Sequence, residues 1–262
     1  GLGDVYKRQI HYQSTPIGQS VLGKPLYAIH PTQFDHRKKM IILTCRQHGD
    51  EGTSNYILEG FLNSLVGEVK SDFLNQFQVL IFPMINPDGA DRKTRGNANG
   101  WDLNRNWDET HRHDLEEPEV GSAHQVIHSV LNAFKTPIPI ALDLHGSFGD
   151  DFMYLGDKDF ISPSFFKIQM RFVRFFGLFN PWQNGSHQLS NGEPGMLRLL
   201  LAKVFGINSM TLETPRDILK NNQDQRNTDT LRQEGVAIYQ SIYEHYSLTP
   251  NQLIVMLSLI HI

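Results

Sequence analysis

The chain has 262 residues, of which 39% are hydrophobic and 20% are charged, and its formal net charge is −4. This composition is typical of a folded globular protein and excludes a largely disordered chain. The slightly negative charge argues against a nucleic-acid partner, which usually requires a basic surface. No apolar run reaches the roughly 20 residues of a membrane span. With Cys45 as its one cysteine the chain cannot form an internal disulfide, so we expect a reducing, cytoplasmic location.

The two ends of the chain, residues 1–9 and 257–262, resemble translated sequencing-adapter read-through, and we treat both as non-native. Between them, no repeat, low-complexity stretch or linker divides the sequence. A chain of this length can bury one sizeable core. We therefore predict one domain over residues 10–250.

The predicted elements begin with turn signals around a short strand, at Pro16–Ser20 and Gly23–Pro25. Dense apolar runs predict buried strands, and apolar residues at helical spacing predict helices. In chain order these are a strand over Met40–Cys45, a helix over Thr53–Leu65, a strand over Gln78–Met84 that ends at the turn signal Asn86–Gly89, a helix over Pro118–Phe134, strands over Ile138–Leu144 and Phe152–Leu155, helices over Pro163–Phe176 and Gly195–Val204, a strand over Ile207–Leu212 and a helix over Thr228–Tyr246.

This alternation of strands and helices predicts an α/β fold, with a single mixed, mostly parallel β-sheet flanked by helices on both faces. Ligand sites in such sheets lie beyond the carboxyl ends of the strands. Polar residues follow the predicted strands at Cys45, Met84, Leu144 and Leu212. We therefore expect the functional site at that edge of the sheet.

A metal site is the first candidate at this edge. His48 and Glu51 follow the strand that ends at Cys45, and His145 ends the strand IALDLH. Catalytic zinc takes three protein ligands and leaves one position for water. A surface salt bridge would explain His48 and Glu51 alone, and a satisfied strand-end histidine would explain His145 alone. Their shared placement at strand ends favours a site for one zinc ion.

Other histidines compete for this assignment. His124 and His128 are four residues apart on a predicted helix, and His111 and His113 lie in a charged loop. No acidic residue accompanies the helical pair in a zinc-protease arrangement. We therefore expect solvated side chains at these four positions.

Between Asn86 and Trp107 lies a polar stretch with three arginines, Arg92, Arg95 and Arg105. The stretch is too polar for a core, so it is either a solvated excursion or a binding segment. Guanidinium groups bind carboxylates through two parallel hydrogen bonds, which favours a carboxylate clamp. Asp102 in the same stretch could accept a hydrogen bond from a metal-bound histidine.

Glu213 ends the apolar strand INSMTL, where a carboxylate needs a partner or a role. It could form a turn cap with Thr214. It could instead take a proton from a metal-activated water as a general base.

Taken together, these segments resemble the zinc carboxypeptidase family, the carboxypeptidase A-like peptidases. The resemblance runs from about Gly18 to Tyr246 and implies that His48, Glu51 and His145 bind zinc. The matching segments, in chain order, are His48-Gly49-Asp50-Glu51, Asn86-Pro87-Asp88-Gly89, Arg92-Lys93-Thr94-Arg95, Gly100-Trp101-Asp102-Leu103-Asn104-Arg105-Asn106, His145 and Thr211-Leu212-Glu213.

The resemblance also implies roles for other residues in a metallocarboxypeptidase acting on peptides with a free C-terminal carboxylate. Arg92 would polarise the scissile carbonyl and stabilise the oxyanion. Asn104 and Arg105 would hold the terminal carboxylate, Asp102 would orient the first histidine, and Glu213 would act as general base and then general acid.

Two branches of the family share further features with this chain. The segment Arg95–Asn106 resembles the bacterial murein peptide amidases, which cut γ-D-glutamyl–diaminopimelate bonds, whereas Asp143–Ser147 and Phe152–Tyr154 resemble the cytosolic carboxypeptidases. The mobile substrate-facing tyrosine of the family has no counterpart, because Tyr154 lies too close to His145. Two alternatives stay open: a deacylase of N-acyl amino acids, and a non-catalytic peptide-binding member of the fold.

Overall fold

The computed structural model describes residues 12–67, 72–133, 138–216, 226–248 and 251–252. The two ends predicted to be non-native lie outside these ranges, and the domain boundaries stay a prediction. The described residues form a mixed α/β domain built on an eight-stranded sheet, which confirms the predicted fold class.

The sheet has the strand order β1-β2-β4-β3-β5-β8-β6-β7. Its centre, β4-β3-β5-β8, is parallel, as is the pair β6-β7. The pairs β1-β2, β2-β4 and β6-β8 are antiparallel. The strands are β1 (Tyr12–Gln19), β2 (Pro25–Pro31), β3 (Lys39–Cys45), β4 (Phe77–Phe82), β5 (Ile140–Ser147), β6 (Phe152–Leu155), β7 (His187–Leu189) and β8 (Ser209–Pro215).

Helices cover both faces of this sheet. In the described part of the chain they are α1 (Thr53–Gly67), α2 (Asp72–Gln76), α3 (Pro87–Arg92), α4 (Pro118–Ala133), α5 (Pro163–Phe179), α6 (Leu197–Lys203) and α7 (Thr228–Ser247), with a short 3-10 turn at Thr110–Arg112. Because β3 and β4 are buried on both faces, they are dense apolar runs rather than alternating ones.

One face of the sheet packs against α1, α5 and α7. Helices α1 and α7 approach so closely that a Cβ on Gly60 would lie 1.9 Å from the Arg232 carbonyl oxygen. The same holds for Gly235, where a Cβ would lie 1.9 Å from the Ile57 carbonyl oxygen. Each helix therefore needs glycine at this crossing, because any side chain would collide with the other backbone.

The opposite face packs against α4, α6 and the segment that carries Leu103 and Trp107. Met40 and Ile42 of β3 and Ala141 of β5 supply this core from the sheet. Towards the carboxyl ends of the strands the same face becomes polar, and this change marks the candidate site.

Two segments that were predicted to be turns belong to a strand and a helix in the fold. Pro16 lies within β1, which can hold a proline because it is an edge strand of the sheet. The pairing of β1 with β2 is irregular between Pro16 and Gly18. The segment predicted to be a turn at Asn86 begins α3 instead. The Asn86 side chain accepts a hydrogen bond from the Gly89 amide at 2.8 Å, and Pro87 occupies the first turn, which is a favourable helix start.

None of the helices in the described ranges combines the length and hydropathy that a bilayer crossing requires.

Candidate metal centre and substrate cavity

The polar edge of the sheet is built by the alternation of side chains along three neighbouring strands. Thr44 pairs with Asp143 in the β3–β5 ladder, and His145 pairs with Glu213 in the β5–β8 ladder. Residues two apart on a strand point to the same face, so Asp143 and His145 share a face with the core residue Ala141. The apolar face of the sheet thus ends in a row of acids and imidazoles.

His48, Glu51 and His145, which we call the metal centre, converge beside this row. His48 Nδ1 lies 2.7 Å from Glu51 Oε1, and His145 Nδ1 lies 2.9 Å from Glu51 Oε2. The two Nδ1 atoms are 3.1 Å apart. All three side chains are buried, and their ligand atoms lie within 4.8 Å of one another. Two imidazole nitrogens and one carboxylate fit catalytic zinc, so the chain holds a site able to bind a metal.

The backbone around His48 is tightly constrained. Arg46 adopts a positive φ of 62° directly after β3, and its side chain donates two hydrogen bonds to the Gly49 carbonyl, at 2.9 and 2.7 Å. A Cβ on Gly49 would lie 2.0 Å from the Gly89 carbonyl carbon. The loop that presents His48 and Glu51 therefore packs directly on α3 and leaves no room for a side chain at position 49.

The far nitrogen of each histidine meets a carboxylate. His48 Nε2 lies 2.9 Å from Asp102 Oδ1, and His145 Nε2 lies 2.8 Å from Asp143 Oδ2. Such contacts fix the tautomer and the orientation of a metal-binding imidazole. Each ring therefore turns its Nδ1 towards the metal centre.

Sequence reasoning assigned no role to Asp143. This buried carboxylate also accepts hydrogen bonds from Thr44 Oγ1 at 2.7 Å and from Gln47 Nε2 at 2.6 Å. Trp107 Nε1 in turn donates to Gln47 Oε1 at 2.7 Å. The signal that could have revealed it is the spacing Asp-x-His on a strand, which places both side chains on one face.

The metal centre is strongly polarised. Burial by itself would raise the pKa of Glu51, but His145 and His48 outweigh burial and hold the pKa well below its usual range. Burial would likewise lower the pKa of His145, but the carboxylates of Asp143 and Glu51 raise it well above 6.5. Ionised carboxylates around nitrogen donors are the electrostatic setting that a divalent cation prefers.

A cavity of about 370 Å³ opens onto the metal centre. Glu213 faces it, and burial, the largest influence, raises the pKa of this carboxyl. The lining residues are His48, Arg95, Asn104, Arg105, His145, Tyr154, Ser190, Gly192, Glu193, Met196, Arg198, Thr211 and Glu213.

The two arginines three residues apart in Arg92-Lys93-Thr94-Arg95 are placed differently. Arg95 lines the cavity, its Nε donates to Asp102 Oδ2 at 2.9 Å and its Nη1 reaches Glu51 Oε1 at 3.5 Å. Arg92 is exposed, lies outside the cavity lining and donates to the Ala98 carbonyl at 3.3 Å. The role of Arg92 at the scissile carbonyl stays a prediction, while Arg95 is the arginine of this pair that lines the cavity.

The cause of this difference is the end of α3. Lys93 caps the helix in the left-handed conformation, with φ 56° and ψ 41°. The chain turns there, and the Arg95 carbonyl accepts hydrogen bonds from the Gly49 amide at 3.3 Å and from Asn86 Nδ2 at 3.1 Å. Arg95 is thereby fixed beside the metal-centre loop, whereas Arg92 stays on the exposed side of the helix.

Asn104 and Arg105 both line the cavity. Asn104 Oδ1 accepts from the Leu197 amide at 3.0 Å, and its Nδ2 lies 3.3 Å from His145 Nε2. Arg105 Nε forms an ion pair of 2.9 Å with Glu193, whose side chain is exposed. Arg105 is therefore the more accessible of the two towards a ligand.

The competing histidines form a row on α4 and the preceding segment. The ring centroids of His113 and His124 are 5.2 Å apart, and those of His124 and His128 are 6.2 Å apart. His111 is exposed. Within the described ranges, the metal centre is the one group of three His, Cys, Asp or Glu side chains close enough to hold an ion.

Comparisons with known proteins give results that agree with this geometry. Mouse cytosolic carboxypeptidase 3 is 32% identical over 115 residues, which is 43% of this chain and 11% of that protein. Human cytosolic carboxypeptidase 6 is 29% identical over 164 residues, which is 58% of this chain and 32% of that protein. The chain thus spans a third or less of the length of these two relatives.

Solved structures extend the fold comparison over nearly the whole chain. A metallo-carboxypeptidase from Burkholderia cenocepacia superposes with a TM-score of 0.79 at 23% identity, covering 94% of this chain and 67% of that one. Carboxypeptidase A from Helicoverpa armigera gives a TM-score of 0.68 at 19% identity, covering 93% and 69%. The family model for zinc carboxypeptidases (Peptidase_M14) matches residues 6–155, more than half of the 262 residues. The chain therefore belongs to the zinc carboxypeptidase family.

Proposed function

We propose that this chain is a zinc metallocarboxypeptidase that hydrolyses the C-terminal amide bond of a peptide. The observation that carries the proposal is the convergence of His48, Glu51 and His145 through one nitrogen or oxygen each, with Glu213 facing the same cavity. Zinc held there would supply a Lewis acid that polarises a carbonyl and acidifies a water molecule.

Glu213 is the proposed general base. It pairs with His145 across the β5–β8 ladder, so its carboxylate lies on the cavity side of the metal centre. Burial raises the pKa of Glu213, and a carboxylate with a raised pKa accepts a proton more readily near neutral pH. Glu213 would take a proton from the attacking water and return it to the leaving amine.

Arg95, rather than Arg92, is the proposed oxyanion group. Its guanidinium lines the cavity next to Glu51 and Asp102, where it could donate to a developing negative charge. A preorganised donor of this kind contributes roughly 3 kcal/mol to transition-state stabilisation.

Arg105 is the proposed receptor for the free C-terminal carboxylate. Its present partner, Glu193, is exposed and on a separate loop, so a substrate carboxylate could exchange with it. Asn104 is held by Leu197 and His145, and it would assist through its Nδ2 group. A murein peptide is one candidate substrate, because the segment Arg95–Asn106 resembles the murein peptide amidases.

The test is zinc-dependent turnover of C-terminally free peptides, measured after metal removal and zinc add-back. We expect about one zinc per chain, loss of activity on chelation and recovery on add-back. Glu213→Gln should lose at least about 10³-fold in kcat while it still binds zinc, because general-base and proton-return steps both depend on this carboxylate.

A panel of substrates separates the alternatives. Turnover of N-acyl amino acids but not of peptides would favour a deacylase. Tight peptide binding without turnover by the zinc-loaded protein would favour a non-catalytic member. Full activity in Glu213→Gln would contradict the proposed mechanism.

A further inference from the structure

Three buried charged side chains lie outside the cavity lining and take no part in the proposed chemistry. They are Asp151, which directly precedes β6, Arg226, which precedes α7, and Glu234 within α7. Each of them is exposed by 6% or less. Arg226 Nη2 donates one hydrogen bond to Asp151 Oδ1 and another, at 2.7 Å, to Glu234 Oε2. We call these three residues the charge cluster.

The charge cluster contains one cation and two acids, and its neighbours among the described residues are uncharged. Thr214 donates a hydrogen bond to Glu234 Oε1 at 3.2 Å, and Asn180 also contacts Glu234. The guanidinium carbon of Arg226 lies 5.0 Å from the ring centre of Trp182. If both acids were ionised, the cluster would hold a net negative charge in a buried site, which is unfavourable. One proton on either acid makes the cluster neutral.

The geometry of Asp151 shows where such a proton is needed. Its Oδ2 is buried and has no hydrogen-bond partner within the described ranges. Burial, the largest influence, and then the charge of Glu234 raise the pKa of Asp151 to about 8, although Arg226 lowers it. Burial is also the largest influence on Glu234 and raises its pKa. Two acids this close titrate as a pair rather than singly.

The charge cluster lies directly beyond the strand pair that carries Glu213. In the sheet, Glu213 pairs with His145 on one side and with Phe152 on the other. Asp151 precedes Phe152 and Thr214 follows Glu213, so both strands lead from this pair into the cluster. Successive side chains of a strand point to opposite faces, so the cluster holds Thr214 on the face opposite to Glu213.

We propose that Asp151, Arg226 and Glu234 form a clamp that positions Glu213 through Thr214, and that this clamp is closed only while the two acids share one proton. The positioning role rests on the proposed function, because it needs Glu213 to act as a base. When the proton is lost at alkaline pH, the two carboxylates repel each other around a single guanidinium. The hold on Thr214 then weakens, and the end of β8 loosens behind Glu213.

The first test compares the stability of the unmodified protein and of Asp151→Asn, both loaded with zinc. Asparagine has the shape of a protonated aspartate, so the variant should fold without holding the proton. An acid whose pKa is raised from 3.8 to about 8 keeps a proton that the unfolded chain releases in that window. Stability is therefore lost as the pH rises. Between about pH 6 and pH 8, the unfolding constant of the unmodified protein should rise relative to that of the variant by up to about tenfold per pH unit.

The second test measures amide hydrogen exchange along β8, corrected for the intrinsic exchange rate at each pH, with β4 as the internal reference. In the unmodified protein we expect the protection of β8 to fall about 10-fold from about pH 7 to about pH 9, because a weakened clamp allows local opening. In Asp151→Asn the protection should stay constant. The control is Asp150→Asn, which removes the neighbouring exposed acid and should behave like the unmodified protein.

Peptide turnover supplies the readout that separates positioning from stability alone. In the unmodified protein kcat should decline above about pH 8, and in Asp151→Asn this decline should move up by about one pH unit or more. A purely structural cluster would leave the pH profile of kcat unchanged.

Three outcomes would overturn the inference while leaving the peptidase function intact. The first is an equal pH dependence of unfolding in the unmodified protein and in Asp151→Asn, which would mean that the acids share no proton. The second is a failure of Asp151→Asn to fold, because the clamp requires a neutral side chain there. The third is a change in β8 exchange without any change in the pH profile of kcat. If no peptide is hydrolysed but stability and β8 exchange follow the shared proton, the peptidase proposal fails and the clamp on β8 stands.

Discussion

The metal centre and the buried side chain of Arg198 face the same cavity, but their charged groups are paired to different extents. At the metal centre every charged group has a partner: Glu51 contacts two histidines and two arginines, and each histidine meets a second carboxylate. Arg198 of α6, by contrast, donates to the Ser190 carbonyl, and its Nε is buried without a hydrogen-bond partner.

The difference shows what each end of the cavity is built to receive. Paired acids and imidazoles are held in fixed orientation and still gain from a metal cation, because imidazole nitrogens and carboxylate oxygens are ligands for zinc. An unpaired guanidinium gains from an anion. Variants that remove the pairing at the metal centre therefore sharpen this comparison.

The largest effect in such variants is expected at Arg95. Arg95→Gln should lower kcat/KM roughly 10²- to 10³-fold, because it removes the proposed donor to the oxyanion from a partly enclosed site. Arg92→Gln should change kcat/KM by less than about 2-fold, because Arg92 is exposed and lies outside the cavity lining, where its guanidinium donates to the Ala98 carbonyl.

These two variants form a matched pair, since they replace the same residue type three positions apart in one segment. Steady-state kinetics on a single peptide suffices for the comparison. A larger loss in Arg92→Gln than in Arg95→Gln would contradict the assignment of the oxyanion role to Arg95.

An intermediate effect is expected at Asp143. Asp143→Asn keeps the shape of the side chain but removes the charge that faces His145 Nε2, and we expect zinc affinity to fall about 10- to 100-fold. Competition with a chelator of known affinity measures this change. Asp150→Asn is the control, because Asp150 is an exposed acid on the loop that follows the same strand. Unchanged zinc affinity in Asp143→Asn would mean that the carboxylate only supports packing.

The parallel centre of the sheet could be predicted from the sequence because strands buried on both faces are dense apolar runs, as in Met40–Cys45. The edge hairpin could not be predicted. The residues of β1 are half-buried or exposed, and Pro16 and Gly18 within it favour turns when judged locally. Its pairing with β2 is a tertiary property that local propensity does not encode.

The metal centre could likewise be predicted from the sequence, because its residues follow predicted strands and the carboxyl ends of neighbouring strands meet at one edge of the sheet. Which of Arg92 and Arg95 faces the cavity could not be predicted, because it depends on the left-handed conformation of Lys93 at the end of α3. Arg198 gave no signal at all. It lies in the segment LRLLL of α6, where a single arginine suggests a solvated position, and only the packing of α6 on the sheet buries it.

The smallest effect is expected at Arg216, which holds the metal centre from outside the cavity. Its Nη2 donates to Glu51 Oε1 at 2.9 Å and its Nε to the Gly146 carbonyl at 2.8 Å. Arg216→Met should therefore destabilise the metal-free protein by about 1–2 kcal/mol, or roughly 4 °C in melting temperature. Zinc would supply the missing positive charge beside Glu51, so the zinc-loaded variant should lose less stability than the metal-free variant.

Thermal unfolding with and without zinc measures both losses of stability. The control is Arg174→Met, which replaces an exposed arginine on α5. An equal loss in both states would show that Arg216 serves Asp50 and the Gly146 loop rather than the charge of Glu51, and the metal centre would then be paired less completely than its contacts indicate.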